Sequence, residues 1–203
     1  MERGIMMRIL VIGSTGRTGV HVLTQGVGRG HRITAFARRP EHLPGGVALA
    51  GVHRGDAHDP AAVRDAVRGQ DAVIAAVGGS GIASTLITAM HEEGVRRLVM
   101  TSSRSVPATR PRLAVGLAWI LLRRAYADLA RAEGMLQVSG LDWSIARGTR
   151  LTDKPPAGRV HIDFEDNATG GAPQLSRTDY AMALLDIAED PAMIGKAPGI
   201  CGP

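Results

Sequence analysis

The feature that most constrains this chain is a row of three glycines between an apolar run and a helical pattern. Residues 9–23 read ILVIGSTGRTGVHVL, with Gly13, Gly16 and Gly19 spaced three apart. Where a strand turns into a helix, such glycines permit a tight turn, let the backbone approach a pyrophosphate, and let helix and strand pack closely. The helix start also offers free N–H groups and the positive end of its dipole. The segment predicts a dinucleotide-binding loop; the alternative is that the glycines serve packing alone. The residues assigned to this loop are Gly13, Ser14, Thr15, Gly16, Arg17, Thr18 and Gly19.

Short apolar runs alternate with helical patterns along most of the chain. The runs predict strands over residues 8–12, 32–37, 47–53, 71–77, 98–101 and 143–147, and the patterns predict helices over 17–26, 60–67, 80–93, 112–138 and 180–187. Strands and helices that alternate at this spacing form right-handed crossovers and a parallel sheet. We therefore expect one α/β domain over residues 1–203, a doubly wound Rossmann-type parallel sheet with helices on both faces. A weak point of the longest helix is expected at Gly134.

The pattern loosens after the sixth predicted strand. Pro, Gly and Asp are frequent over residues 148–173, within which 159–164 has the composition of a short strand. Residues 197–201 are expected to add a last edge strand. We predict that segments 104–112 and 148–173 are substrate-side loops, with 104–112 as a lid, and that the C-terminal region completes the same domain.

Composition places the chain among ordinary globular proteins. It has 203 residues, 44% hydrophobic and 21% charged, which suits a single core. The formal charge of +5 comes from dispersed arginines without interleaved aromatic residues, so nucleic-acid binding is not expected. The longest apolar stretch, 113–122, is about half of a membrane span, so no membrane association is expected.

The few cysteine and histidine residues restrict the chemistry further. The single cysteine, Cys201, excludes an intrachain disulfide and fits a reducing compartment. The seven histidines are dispersed and lack the spacing of metal ligands, so no metal is expected. The apolar run near the N-terminus is too short for a signal peptide. These features predict a cytoplasmic protein that is a monomer or a small homo-oligomer.

Two arginines follow the second predicted strand, about twenty residues beyond the glycines. In dinucleotide-binding domains a carboxylate at this place binds the free ribose hydroxyls of NAD, whereas arginine accommodates the 2'-phosphate of NADP. Arg38 and Arg39 stand here, and no carboxylate lies between the glycine loop and Glu41. Guanidinium groups suit a phosphate dianion. The sequence predicts NADP(H) in preference to NAD(H), with Arg38 as the main contact and Arg17 as a third positive charge; the alternative is that one of the pair is a solvated surface residue.

Other small and polar residues follow strands three and four. Ligands of such sheets lie outside the carboxyl ends of the strands, so these residues share one crevice with the glycines. Asp56 is a candidate acceptor for the adenine amino group, although a role in capping or turning is nearly as well supported. The candidates of this group are Gly55, Asp56, Val77, Gly78 and Gly79.

The chain carries a series of short segments in a defined order: STGRTG, ARRP, RGDAHDP, QDAVIAAVGG, RRLVMTSS, SGLDWSIARGTRLTDKP and LSRTDYA. In this order, and over nearly the whole chain, they resemble the atypical short-chain dehydrogenase/reductases of the NAD(P)H-binding, NmrA-like branch, near the flavin reductases of the biliverdin-IXβ reductase type. The resemblance implies NADPH binding and hydride transfer to flavins, linear tetrapyrroles or similar planar acceptors. It also implies that Thr101 and Ser102 lie beside the nicotinamide, and that Arg150 replaces a histidine of the substrate site.

The chain departs from typical short-chain dehydrogenases in the long helix. The positions of their Tyr-x-x-x-Lys pair fall near Ala125 and Leu129, while Tyr126 is displaced by one residue and has Ala130 four residues later. Tyr126 is retained beside Ser102 as a candidate catalytic acid, with a core or rim aromatic as the alternative. Without a Tyr–Lys pair, hydride transfer rests on positioning of the cofactor, because a flavin or quinone can take its proton from water.

The candidate substrate contacts are Ser103, Arg147, Arg150 and Asp153. Ser103 can instead cap a loop, and Asp153 can instead shape the loop over the cofactor. The leading hypothesis is an NADPH-dependent reductase of a small planar or carbonyl acceptor, with that small molecule as its partner. The alternatives are a non-catalytic, redox-sensing NADP-binding regulator and an NADP-dependent isomerase or epimerase.

Overall fold

Strands and helices alternate through most of the computed structural model, which describes residues 6–108, 112–167 and 169–203 and, within these, the side chains other than those of 112–121. The elements in chain order are β1 Arg8–Ile12, α1 Gly19–Gly28, β2 Arg32–Ala37, β3 Gly51–Arg54, α2 Pro60–Val67, β4 Ala72–Ala75, α3 Ser80–Glu92, β5 Arg97–Ser103, α4 Arg112–Gln137, β6 Asp142–Gly148, β7 Arg150–Thr152, β8 His161–Asp163, β9 Gln174–Ser176, α5 Arg177–Glu189 and β10 Gly199–Cys201.

The main sheet has eight strands in the order β3-β2-β1-β4-β5-β6-β10-β8. Every neighbouring pair is parallel except β10 with β8. The chain order reverses between β1 and β4, which is the switch point where ligands of doubly wound sheets bind. The predicted Rossmann-type fold is confirmed.

Side chains of each central strand alternate between two hydrophobic layers. In β1, Leu10 and Ile12 face the layer that contains α2, α3 and α4, whereas Ile9 and Val11 face the layer of α1 and α5. This alternation follows from the period of two in a strand. The sheet is therefore covered on both faces, and its carboxyl edge remains for a site.

The third strand is shorter than residues 47–53. Val47 accepts a backbone hydrogen bond from Leu49, which forms a tight turn, and the strand begins only at Gly51. Val47 and Leu49 pack against the hydrophobic layer of α1 and α5. The apolar run there reflects packing of a loop rather than pairing in the sheet.

The distortion of the long helix lies at Leu122 and not at Gly134. Leu122 has φ −116° and ψ 19°, outside helical values, and it joins two helical segments within α4. Gly134 lies in the helix with open space where a Cβ would be. Glycine lowers helix propensity, yet the break occurs at the place where α4 borders a cavity described below.

Residues 199–201 do not form the sheet edge that was expected. β10 lies between β6 and β8, and the antiparallel β8 becomes the edge strand. In addition, β7 and β9 form a separate parallel pair. The short segments of this region carry no periodicity, so their pairing is decided by tertiary contacts.

The last helix begins earlier than predicted because Ser176 caps it. Ser176 Oγ accepts a hydrogen bond from the backbone of Asp179 at 2.9 Å, as serine commonly does at this position. The Asp179 carboxylate accepts from the backbone of Ala157 and Gly158. The start of α5 thereby holds the loop that follows β7.

Among the described residues, no helix is both long and apolar enough to cross a bilayer.

Candidate functional site

Three neighbouring cavities follow the carboxyl edge of the sheet. The glycine-loop cavity, about 540 Å³, lies between the loop after β1 and the ends of β2 and β3. The serine cavity, about 250 Å³, contains Ser102 and shares Ala76, Val77 and Gly78 with the first. The arginine cavity, about 610 Å³, contains Arg104 and Arg150 and meets the serine cavity at Ser103. Neighbouring cavities share lining residues, so the three form a row along this edge.

The glycine loop has the conformation that its spacing predicted. Gly13 has φ 78°, and its carbonyl accepts from the Gly16 backbone at 2.9 Å. A Cβ on Gly19 would collide with the Gly13 carbonyl, so only glycine permits this approach of helix to strand. Thr18, at the start of α1, makes no side-chain capping hydrogen bond. The first turn of α1 therefore keeps backbone N–H groups without a side-chain cap, as expected for a phosphate site.

Two loop residues are used differently from the expectation. Ser14 is fully buried, and its hydroxyl donates to the Phe36 carbonyl at 2.9 Å, so its side chain fixes the loop to β2. Arg17 forms an ion pair with Asp153, which also accepts from Arg177 at 2.7 Å. Arg17 is not among the residues lining the glycine-loop cavity, so its expected role as a third charge has no support in the geometry. Asp153 lies with Arg17 and does not line the arginine cavity where substrate contacts were expected.

Arg38 and Arg39 line the glycine-loop cavity together with Gly55 and Asp56. Both arginines are exposed, and neither has a recorded partner in the described part of the chain. Asp56 Oδ1 accepts from the His58 backbone at 3.0 Å, so this carboxylate closes a turn as well as lining the cavity. The lining residues that sequence reasoning missed are Ile12, Phe36, Ala37, Ala57, His58, Ala76 and Ile82.

The serine cavity is shaped by a close approach of α4 to the end of β4. A Cβ on Gly78 would lie 2.5 Å from Leu129 Cδ2 and 2.7 Å from the Thr101 carbonyl oxygen. The backbone thus needs glycine at this point. The cavity is lined by Thr18, Ala76, Val77, Gly78, Thr101, Ser102, Ser103, Leu129, Leu151 and Tyr180. The lysine of the Tyr-x-x-x-Lys pair of typical short-chain dehydrogenases falls near Leu129 in this chain. The Leu129 side chain lines the cavity at that position.

A buried carboxylate lies behind Ser102. The Ser102 hydroxyl donates to Glu133 Oε1 at 2.6 Å, and Arg147 donates to both Glu133 oxygens at 3.2 and 2.6 Å. Glu133 is 6% exposed. The Ser102 proton is thereby held toward Glu133, which leaves the lone pairs of its oxygen to accept a hydrogen bond from a ligand. Arg147, a predicted substrate contact, is instead a partner of Glu133.

Glu133 was missed because it is one charged residue in a helical pattern. Its signal is positional: it follows Leu129 by four residues, so both lie on one face of α4. Its neighbours Ala132 and Leu136 are buried in the core. A carboxylate on a core-facing stripe needs partners, and that requirement was available from the sequence.

Tyr180 also lines the serine cavity, but its hydroxyl is occupied. It is 1% exposed and donates to the Ala146 carbonyl at 2.7 Å. Burial raises the pKa of the Tyr180 phenol far above its ordinary value. This tyrosine is therefore a neutral wall of the cavity and not a base at neutral pH.

Arg104 anchors the start of the segment that was predicted to be a lid. Its backbone donates to the Gly148 carbonyl at 3.0 Å, and its guanidinium pairs with Asp163 of β8 at 2.5 Å. Burial by itself raises the pKa of the Asp163 carboxyl, but the hydrogen bond and charge of Arg104, together with backbone hydrogen bonds from Thr169 and Glu165, outweigh burial and lower the pKa. A side chain at Gly199 would occupy the position of the Arg104 guanidinium. Residue 104 is thus fixed, while 109–111 of the predicted lid lie outside the described residues.

Tyr126 and Arg150 line the arginine cavity, as does Leu122 at the break in α4. Tyr126 is therefore in a different cavity from Ser102, with Ser103 between them. Gly79, the remaining candidate, has φ 139° and precedes α3. Among the described residues, no cluster of three His, Cys, Asp or Glu side chains is arranged to hold a metal.

Comparison with known proteins gives a match to a protein-family model. A model described as NAD(P)H-binding matches residues 13–191. A curated 2-alkyl-3-oxoalkanoate reductase of Stenotrophomonas maltophilia is 38% identical over 122 residues, which is 52% of this chain and 36% of that protein. An uncharacterized protein of Mycobacterium tuberculosis is 35% identical over 130 residues, 59% of this chain and 15% of its own length. The chain thus spans about 15 to 36% of these curated relatives.

Solved structures resemble the chain over almost its whole length. A Rossmann-fold NAD(P)-binding family protein of Shigella flexneri has a TM-score of 0.78 and 26% identity, covering 98% of this chain and 95% of that one. A short-chain dehydrogenase/reductase of Veillonella parvula in complex with NADP has a TM-score of 0.88, 20% identity and coverage of 98 and 96%. An anaerobilin reductase of Escherichia coli O157:H7 has a TM-score of 0.84, 22% identity and coverage of 97 and 97%. At 20 and 22% identity, the last two likenesses concern the fold.

Proposed function

We propose that this chain, which belongs to the NAD(P)H-binding family of atypical short-chain dehydrogenase/reductases, is an NADPH-dependent reductase of a small planar or carbonyl acceptor. The observation that carries the proposal is the row of adjoining cavities from Arg38 and Arg39, past Ser102, to Arg150. Such a row accommodates a dinucleotide along two cavities and an acceptor in the third.

The residues present fit NADP(H). Gly13, Gly19 and Gly78 keep clear the space that side chains would fill, and α1 begins without a side-chain cap. Arg38 and Arg39 offer two unpaired guanidinium groups where a 2'-phosphate is expected. Support for NADP(H) over NAD(H) comes from this charge, because a hydrogen bond to a charged group is stronger than one between neutral groups. When bound, the dinucleotide supplies the hydride.

The chain's own contribution is positioning. Ser102, held by Glu133, presents an acceptor oxygen toward the serine cavity, where a carboxamide N–H is a suitable donor. Leu129 and Leu151 give that cavity apolar walls. We assign Ser103 to the junction with the acceptor, and Tyr126 to the wall of the arginine cavity.

Proton delivery follows from the same contacts. Within the serine cavity, Ser102 donates to Glu133 and Tyr180 donates to Ala146. Neither hydroxyl proton is directed to a substrate. These two hydroxyls therefore do not supply the proton, which suits an acceptor that takes it from water, as a flavin or quinone does. Tyr126, on the wall of the arginine cavity, stays a candidate acid for an acceptor that needs one.

The decisive experiment measures NADPH oxidation by the purified chain with riboflavin, FMN and menadione. We expect turnover above the rate without protein, and tighter binding of NADPH than of NADH by titration calorimetry. Binding of NADPH without turnover of any acceptor would contradict the reductase and favour the redox-sensing regulator, which the lack of a Tyr–Lys pair also suits. Inversion of configuration at a hydroxyl-bearing carbon of a substrate, without net NADPH oxidation, would favour the epimerase.

A further inference from the structure

The arginine cavity has a positive rim, and none of its lining residues in the described part of the chain is acidic. Its lining is Ser103, Arg104, Ser105, Ala108, Leu122, Tyr126, Thr149, Arg150, Gly170, Gly171, Ala172, Pro173 and Cys201. The described walls combine apolar groups with hydroxyls and two guanidinium groups. A cavity of about 610 Å³ is of the size that holds a small molecule.

The two arginines of this cavity differ in how their charge is balanced. Arg104 is 5% exposed and is paired with Asp163. Arg150 is exposed, and no carboxylate pairs with it in the described part of the chain. The nearest acid along the sequence, Asp153, is bound to Arg17 and Arg177 instead. The unbalanced positive charge at this cavity therefore belongs to Arg150.

Arg150 is held by regular structure. It begins β7 and pairs with Gln174 of β9. The adjacent Thr149 is fixed by a backbone hydrogen bond to Ile200 at 3.0 Å. A charged group on a fixed strand loses less conformational entropy when it binds a ligand than one on a loose loop.

Polar atoms inside the cavity wall also lack partners. Thr149 Oγ1 and Arg104 Nε and Nη1 are buried, and none makes a hydrogen bond to the described residues. Buried donors without partners are uncommon and point to a group that completes them. Arg104 Nη1 lies against Gly199, which does not line the cavity, so the donor that a ligand oxygen would complete, directly or through water, is Thr149 Oγ1.

We infer that Arg150 forms an anion subsite, and that the acceptor of this chain is a planar molecule carrying a carboxylate or phosphate group. The inference rests on the proposed reductase function and specifies its substrate class. The planar part lies against Leu122 and Pro173 and reaches the serine cavity at Ser103, while the anionic group binds the Arg150 guanidinium.

The test uses flavins that share a ring system and differ in charge. FMN is compared with riboflavin for phosphate, and 10-carboxymethylflavin with lumiflavin for carboxylate. Binding is measured by flavin fluorescence on the chain saturated with NADP+, which occupies the cofactor site without reacting. Wild type should bind the anionic member of at least one pair about tenfold more tightly than its neutral partner, the size of one hydrogen bond to a charged group.

The variants are Arg150→Gln and a matched control, Arg32→Gln. Arg32 is exposed and begins β2, so the control removes a positive charge at the amino end of that strand, away from the cavities at the carboxyl edge of the sheet. Arg150→Gln should abolish the preference for the anionic flavin and leave neutral flavins within about twofold, whereas Arg32→Gln should retain the preference. The pair that responds tells phosphate from carboxylate. Equal affinities within both pairs in wild type, or the same loss in both variants, overturn the inference.

Turnover separates this inference from the proposed function. NADPH oxidation by the neutral flavins, with no preference for either FMN or 10-carboxymethylflavin, would overturn the anion subsite alone. Charge-dependent FMN binding without oxidation of NADPH would overturn the reductase alone and support the subsite.

Discussion

The Ser102 hydroxyl lies 2.6 Å from Glu133 Oε1 and donates its proton to that buried carboxylate. A serine at the centre of the row of cavities is therefore an acceptor toward any ligand, and its orientation depends on a residue of the long helix. Since Arg147 binds the same carboxylate, the three side chains act as one unit.

The first prediction concerns Glu133→Gln. The amide can donate to Ser102, which turns the serine proton into the cavity, and Arg147 loses its charged partner. We expect kcat to fall by about tenfold to a hundredfold through misplacement of the reacting groups. NADPH affinity should fall by less than about tenfold, the size of the one carboxamide hydrogen bond that Ser102 would no longer accept. Steady-state kinetics and NADPH titration measure these effects.

Stability provides the second readout for Glu133. Removing one partner of a buried ion pair should cost about 3 kcal/mol in urea unfolding. The surface control Glu92→Gln, whose ion pair with Arg64 is half exposed, should cost less than about 1 kcal/mol.

A double variant tests whether Ser102 and Glu133 act together. Ser102→Ala should lower kcat by itself, and the double variant Ser102→Ala with Glu133→Gln should lose less than the sum of the two single effects. Additive losses would argue against a single unit.

The arginine pair after β2 gives the second prediction. Replacing Arg38 and Arg39 by Ala should weaken NADPH binding by about 2 to 3 kcal/mol, because charge-assisted contacts to the 2'-phosphate are lost. NADH, which lacks that phosphate, should lose much less. Titration calorimetry with both nucleotides measures the difference, with Arg32→Ala as the control for charge. Equal losses for NADPH and NADH would refute the phosphate assignment.

Gly78 gives the third prediction. In Gly78→Ala the new methyl group would press on Leu129 and on the Thr101 carbonyl, so the variant should be destabilised by about 1 to 3 kcal/mol. The matched control is Gly134→Ala, where the methyl group meets no atom within 4 Å and the helix should gain about 0.5 to 1 kcal/mol. Urea unfolding measures both. A neutral Gly78→Ala would show that α4 shifts away at little cost.

The fourth prediction concerns acid stability and Asp163. Burial of this carboxyl is outweighed by Arg104 and by backbone hydrogen bonds from Thr169 and Glu165, so its pKa is lowered in the folded chain and its contribution to the free energy of unfolding is complete above the unfolded pKa of about 3.9. That contribution is lost as the pH falls through the lower folded pKa, because the unfolded state binds the proton first. Unfolding curves between about pH 6 and pH 2.5 should show this loss.

Asp163→Asn should remove that part of the pH dependence. It should also cost about 3 to 5 kcal/mol at neutral pH, because Arg104 is left buried without its counter-charge. Asp65→Asn, which affects an exposed pair with Arg68, should leave both the stability and its pH profile nearly unchanged. An acid profile of Asp163→Asn that superimposes on wild type would contradict the assignment.

Features with a strong local signal could be predicted from the sequence. The glycine spacing and the alternation of apolar runs with helical patterns indicate the Rossmann-type sheet, and proline after Asp59 marks the start of α2. Ser102 was predicted from the resemblance to atypical short-chain dehydrogenase/reductases, which depends on the segment RRLVMTSS. Each of these depends on residues close together in the chain.

Features that depend on distant contacts could not be predicted in the same way. Glu133 and Arg147 are ordinary charged residues until folding pairs them. Arg17 has the charge for a phosphate contact, yet its guanidinium forms an ion pair with Asp153. β8 has only three residues and no periodicity of its own. Its antiparallel pairing with β10 makes β8 the edge strand of the sheet, a position that residues 197–201 were expected to take.

The ion pairs at Asp153 have a consequence for the speed of cofactor exchange. They join Arg17 of the glycine loop to Arg177 of α5, and the Arg17 and Asp153 side chains are 69 and 55% exposed. Exposed pairs of this kind contribute about 0 to 1 kcal/mol, which is close to thermal energy. Thermal motion thus breaks the link between Arg17 and Asp153 often. Release of a bound nucleotide is therefore governed by its affinity for the glycine loop and the arginines, and not by the breaking of these ion pairs.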